Sequence, residues 1–147
     1  MAQMTWQGYL HMLRSLTKTL EQLTDVENRK TEAVSRGDLM AVDECMKQEQ
    51  VLSLSLRGFD QKRDAALRDL GLEGVKLSGL IAHAPAEEEL ETRKVVEALQ
   101  RQYEIFQAAS LVARNALEIN LRVMERTQQD EAAARQSEAP RQADFRA

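Results

Sequence analysis

Few residues in this chain have the types and spacing that enzymes or metal sites need. Its two histidines, His11 and His83, each lack a glutamate three residues earlier, although helical bundles hold metal ions through Glu-x-x-His pairs. The lone cysteine, Cys45, falls on an apolar helix face and is interpreted as a small core residue. The sequence also lacks a glycine-rich phosphate loop, a nucleophile elbow and a His-Glu-x-x-His motif. We therefore expect no enzymatic activity, no metal and no cofactor.

The charge and composition of the chain exclude several other classes. The net charge of −4 disfavours a nucleic-acid binder, which needs a basic face. A single cysteine is compatible with a reducing compartment. The sequence has no run of 18 apolar residues and no basic start followed by an apolar stretch, so it predicts neither a membrane span nor a signal peptide. A cytoplasmic protein that binds other proteins is the expectation.

The elements that position any binding residues are predicted to be all α-helical. Helix 1 is expected from about Thr5 to Ser35 and helix 2 from about Asp38 to Leu70. Gly37 suits a left-handed stop, and Asp38 suits an N-cap. Because the turn is short and the lengths are similar, helices 1 and 2 should form an antiparallel hairpin. A short helical turn between Gly71 and Pro85 should plug one end, and helix 3 should start near Ala86.

Helix 1 carries an unbroken apolar seam with alternating spacings of three and four residues. That spacing is typical of a helix that packs against other helices. The seam consists of Trp6, Tyr9, Leu13, Leu16, Leu20 and Leu23.

Helix 3 has more apolar surface than one neighbouring helix requires. Four apolar series together span about 160° of its circumference, so this helix should contact two helices or one helix and a partner. The predicted partner-binding residues come from these series: Ile105, Phe106, Val112, Ala113, Leu117, Ile119, Asn120, Val123 and Met124. After Met124 the apolar pattern stops. The expected organisation is a three-helix antiparallel bundle domain over 1–127 and a flexible polar tail over 128–147.

Asn120 and Phe145 each allow two interpretations. Asn120 lies on the apolar stripe, where a polar side chain fixes helix register or bonds to the backbone of a partner. Phe145 is the only large apolar residue of the tail. It is either a solvated end residue or an anchor that docks a disordered segment.

Two stretches of the chain resemble a known family. They are RGDLMAVDECMKQEQVLSLSLRGFDQKRDAALRDLGLEG, with its Gly-Asp turn and Arg before Leu-Gly, and RNALEINLRVMERT in the last helix. Over roughly Leu10 to Thr127 the sequence resembles the FlgN family of flagellar export chaperones. The resemblance implies a cytosolic helical protein without enzymatic activity. It also implies two partners: hook-associated (hook–filament junction) proteins before type III secretion, and the flagellar export machinery.

A second hypothesis remains open from the residues alone. The same apolar faces suit a structural coiled-coil protein that self-associates into a homo-oligomer. A rod-like, self-paired assembly without an open groove would favour that alternative.

Overall fold

The fold starts with an antiparallel helical hairpin, as predicted. In the computed structural model, which describes the backbone of residues 3–146 and the side chains of residues 3–136, helix α1 covers Trp6–Arg36 and helix α2 covers Leu39–Asp69. Gly37 adopts a left-handed conformation with φ 69°, and the Asp38 carboxylate accepts a hydrogen bond from the Ala41 amide at 3.1 Å. The two predicted turn residues therefore stop one helix and start the next.

The segment between helices 2 and 3 closes one end of the bundle. It forms two short 3₁₀ turns, Leu77–Gly79 and Ile81–His83, where one helical turn was expected, and a third, Ala86–Glu88, leads directly into helix 3. Leu80 is 1 % exposed, and Leu77 and Ile81 pack against the same cluster as the start of α1. This segment is the predicted plug, and we call the end that it covers the proximal end.

Helix α3, which covers Glu89–Arg146, runs parallel to α1. The Trp6 indole Nε1 donates to the Thr92 hydroxyl at 2.8 Å near the start of both helices. Thirty residues or so further along, the Asn120 amide donates to the Val34 carbonyl at 2.9 Å. The topology is therefore up, down, up, and α1 is the central helix on which both α2 and α3 pack.

The end of α3 differs from the prediction. A polar tail was expected after residue 127, but the helix continues to Arg146, well past the Arg36 end of α1. Residues 121–136 are all exposed, and over 125–136 the helix projects into solvent. The physical reason is composition, because Ala, Gln, Glu and Arg are strong helix formers even without burial. No helix in the described part of the chain is long and apolar enough to cross a membrane.

Buried side chains form two clusters of unequal size. The proximal cluster joins all three long helices and the plug through these buried residues: Tyr9, Leu10, Leu13, Leu20, Ala66, Leu67, Leu80, Val95, Val96 and Leu99. The distal cluster, beside the Gly37 turn, contains only Ala33, Val34 and Val42, with Ala116 and Leu117 packed against it. The predicted helix 1 seam is confirmed as core, except that Trp6 and Leu16 are half-buried.

A polar layer separates the two clusters. Lys30 is 7 % exposed, and its Nζ lies 2.5 Å from Glu49 Oε2 and 3.4 Å from Glu27 Oε2. Glu27 is 2 % exposed. Burial raises the pKa of Glu27 from 4.5 to about 7, and a hydrogen bond with Glu49 adds to the rise while Lys30 opposes it. Burial also acts to raise the pKa of Glu49. Hydrogen bonds to Glu27 and Lys30 outweigh burial, so the pKa of Glu49 is lowered.

Candidate partner-binding surface

The predicted partner residues divide between two faces of α3. The inner face points at α1, and three of its members are buried or half-buried there: Ala113 is 0 % exposed, and Phe106 and Leu117 pack against the two core clusters. Ala113 is thus a core residue and cannot contact a partner while α3 stays on α1. This corrects the prediction for Ala113, and the reason is that α1 takes up one of the two apolar faces.

The second face of α3 remains open to solvent, and we call it the outer face. It consists of four large apolar residues with exposures between 46 and 61 %: Ile105, Val112, Ile119 and Val123. Val112 lies about 100° around the helix from the buried Ala113. Ile105, Val112 and Ile119 repeat at seven-residue intervals, the spacing of a seam that packs along another helix. No element within the described residues covers this seam.

Asn120 belongs to the fold. Its Nδ2 donates to the Val34 carbonyl at 2.9 Å, and that carbonyl lies in the last turn of α1, where carbonyls lack helical donors. Gly37 N also donates to it, at 3.1 Å. Of the two interpretations of Asn120, the structure shows an intramolecular bond that fixes the register of α3 on α1.

The distal end carries further exposed apolar surface. A small cavity of about 60 Å³ opens between the Gly37 turn and α3, and Leu117, Leu121 and Met124 line its α3 side. Met124 is 45 % exposed and Leu121 57 %. On the α2 side, Leu39 lines the cavity and is 69 % exposed, and Met40 beside it is 85 % exposed.

Sequence reasoning missed three of these distal residues: Leu39, Met40 and Leu121. One signal could have found the first two. Leu39 and Met40 follow the N-cap Asp38 directly, and they precede Val42, the first buried residue of α2. Large apolar residues ahead of the first buried position of a helix lie outside the face that packs on its neighbour. For Leu121 the sequence offers no such signal.

The chemistry available at this surface is burial of apolar groups. Among the described residues, no group of three or more His, Cys, Asp or Glu side chains is placed to hold a metal ion. His11 and His83 are exposed, and Cys45 is buried as a core residue, as predicted. The side chain of Phe145 lies outside the described residues.

Of the comparisons with known proteins, the one with protein-family models gives a match. No curated protein and no solved structure matches the chain. The family model described as "FlgN protein" matches residues 4–136, which include α1, α2, the plug and most of α3. FlgN proteins are flagellar export chaperones, and the family is not one of enzymes. Because the match covers most of its length, the chain belongs to the FlgN family.

Proposed function

We propose that this protein is a cytoplasmic export chaperone that binds an amphipathic helix of flagellar hook–filament junction proteins before type III secretion. The observation that carries the proposal is the outer face of α3. Four large apolar side chains there are 46 to 61 % exposed at helical spacing, which is the arrangement of a surface that accepts a partner helix. The family assignment supports the chaperone class.

The proposed mechanism is temporary burial. An exported subunit must keep its assembly helix from associating before it leaves the cell. An apolar stripe on the chaperone covers the apolar stripe on that helix, and each large side chain removed from water contributes about 1.5–3 kcal/mol. Met40 and Met124 at the distal end are exposed as well, and their flexible side chains would adapt to partners of different shape.

The outer face can be tested with two substitutions. Val112→Glu combined with Ile119→Glu places two charges in the proposed interface, so we expect binding to purified hook–filament junction proteins to fall by about 100-fold or more. Isothermal titration calorimetry measures the affinity, and circular dichroism measures helical content. Helical content should not change, because both residues are more than half exposed.

A matched control carries the same chemistry elsewhere. Met46 and Leu54 are 46 and 65 % exposed on α2, so Met46→Glu combined with Leu54→Glu should leave junction-protein affinity unchanged. Wild-type affinity in the Val112/Ile119 variant would contradict the proposed surface. Equal losses in both variants would point to net charge rather than to the outer face.

The alternative function is a structural coiled-coil protein. The same seven-residue repeat at Ile105, Val112 and Ile119 favours it, since the seam could pair with a second copy of itself. Sedimentation equilibrium separates the two. The alternative requires a wild-type oligomer that the Val112/Ile119 variant converts to monomer, together with no binding of junction proteins by either protein.

The segment after residue 127 is proposed to contact the export machinery, with Phe145 as its anchor. One buried aromatic ring flanked by charge gives weak, reversible docking of about 1.5–3 kcal/mol, which suits a hand-over step. Deletion of Ala139 to Ala147 should lower export of the junction proteins while their binding to the chaperone survives. Unchanged export would contradict the role of Phe145.

A further inference from the structure

A groove lies between α1 and α2, away from the outer face of α3. It has a volume of about 670 Å³ and is lined by α1 and α2 alone. Its α1 wall spans Glu21 to Arg29 and its α2 wall spans Glu44 to Leu52. Each wall is nine residues long, and its end residues lie about 12 Å apart at a rise of 1.5 Å per residue. The groove therefore accommodates about two turns of a helix.

The groove combines an apolar floor with a distinctive charge pattern. Val26 is buried in the floor, Leu52 is half-buried and Val51 is 65 % exposed. Both basic residues of the lining are already engaged in ion pairs along their own helices. Arg29 Nε lies 3.0 Å from Asp25 Oδ2, and Lys47 Nζ lies 3.2 Å from Asp43 Oδ2.

Two carboxylates of the lining, Glu21 and Glu44, are left without an ion pair among the described residues. They stand on opposite walls, one on α1 and one on α2, and both are exposed. A segment that places apolar side chains on Val51 and Leu52 would bring its flanking residues beside these carboxylates. Opposite charges in that position favour the correct partner and speed the encounter.

We infer that the α1–α2 groove is a second protein-binding site, which takes a two-turn amphipathic segment with lysine or arginine beside its apolar residues. This site is separate from the proposed outer face of α3, so the chaperone could hold two protein segments at once. The two sites would take different occupants, because the outer face is defined by apolar side chains whereas the groove adds two carboxylates without an ion pair.

Two synthetic peptides probe the inference in fluorescence anisotropy at low ionic strength. One is a fluorescein-labelled helical 14-residue peptide with a leucine stripe flanked by lysines, and the other replaces each lysine by glutamate. The lysine peptide should bind the full-length protein, and the glutamate peptide should not. Glu21→Lys combined with Glu44→Lys should weaken binding of the lysine peptide by about tenfold.

A matched variant separates the groove from general electrostatics. Glu97→Lys combined with Glu104→Lys makes the same change in net charge at exposed positions of α3 and should change the affinity by less than about threefold. Equal weakening by both double variants would overturn the inference. So would absence of binding, or a loss caused by Val112→Glu and Ile119→Glu, which would place the peptide on the outer face. None of these outcomes depends on whether junction proteins bind that face.

Discussion

The two halves of the bundle differ in the number of side chains that they bury. At the proximal end, ten buried residues from three helices and the plug form one cluster. Polar contacts reinforce it: Gln7 Nε2 donates to Glu88 at 2.8 Å and to Glu91 at 2.9 Å, and Arg14 forms an ion pair with Glu91. At the distal end, three buried residues form the cluster.

Exposed apolar surface follows the opposite gradient. On the distal half of α3, the large residues Leu111, Val112, Ile119, Leu121 and Val123 are each more than half exposed. A bundle that buries its apolar residues well at one end therefore keeps them available at the other. This difference indicates that the proximal half contributes more to the free energy of folding than the distal half does. Each prediction below tests that difference.

The largest effect is expected from truncation of a proximal core residue. Leu13 is 0 % exposed, so Leu13→Ala should lower the free energy of unfolding by about 3–5 kcal/mol. The chemically identical Leu117→Ala at the half-buried distal site should lower it by only about 1–2 kcal/mol. Urea denaturation measures both. Similar losses of unfolding free energy at the two sites would contradict a difference in stability between the two halves.

A stabilising effect is expected in the polar layer between the halves. The pKa of Glu27 is raised to about 7 in the folded protein, so the folded state binds more protons than the unfolded state between pH 4.5 and 7. Folding stability from this group is then lost as the pH rises through that window. Glu27→Gln should raise the free energy of unfolding by about 1–3 kcal/mol at pH 8, with little gain near pH 4.5.

Glu21→Gln is the control for that variant, since Glu21 is exposed on the same helix. It should leave the pH dependence as in the wild type. Chemical denaturation at several pH values between 4.5 and 8 measures the curves. A Glu27→Gln curve parallel to that of the wild type would rule out Glu27 as the titrating group.

A smaller loss of stability is expected at the side-chain hydrogen bond that joins Asn120 of α3 to the distal end of α1. Asn120→Ala removes the donor to the Val34 carbonyl and should lower stability by about 0.5–1.5 kcal/mol. Asn115, an exposed residue of the same helix, provides the matched substitution, and Asn115→Ala should change stability by less than about 0.5 kcal/mol. Equal effects of the two substitutions would show that the Asn120 bond does not hold α3 in register.

The smallest effect is expected beyond the bundle. Ending the chain after Thr127 removes residues of which 128–136 are all exposed, so the thermal unfolding midpoint should stay within about 1 °C of that of the full chain. Helical content should fall, because the removed residues are helical. A markedly lower midpoint would mean that the projecting helix packs on the bundle and that the division into halves is incomplete.

Local signals allowed much of the fold to be predicted from the sequence. The Gly37–Asp38 turn needs only the left-handed preference of glycine and the capping ability of aspartate, and both are seen. The helix 1 seam and the over-wide apolar face of helix 3 follow from periodicity. These patterns predict which apolar residues pack against another helix. They also identified the apolar residues of helix 3 that form the outer face.

What could not be predicted depends on register between distant segments. Glu27 and Lys30 look like ordinary solvated charges along helix 1, and only the placement of Glu49 by the hairpin buries them as a layer. The partner of Asn120 likewise depends on the parallel alignment of α1 and α3. The end of α3 was misplaced because loss of the apolar pattern ends burial, whereas helix formation there follows from intrinsic propensity.

The parallel pairing of α1 and α3 also has a consequence for the order in which the chain folds. The Trp6–Thr92 and Val34–Asn120 contacts each join residues 86 positions apart, while the hairpin joins Lys30 to Glu49, 19 positions away. Contacts between distant residues form late, because a long loop must close first. During synthesis, the α1 side of the proximal cluster must wait about 4–17 s for its α3 partner to emerge, at 5–20 residues per second. A newly made chain thus passes through a stage as a two-helix hairpin, with the apolar residues that α3 later covers still open to solvent.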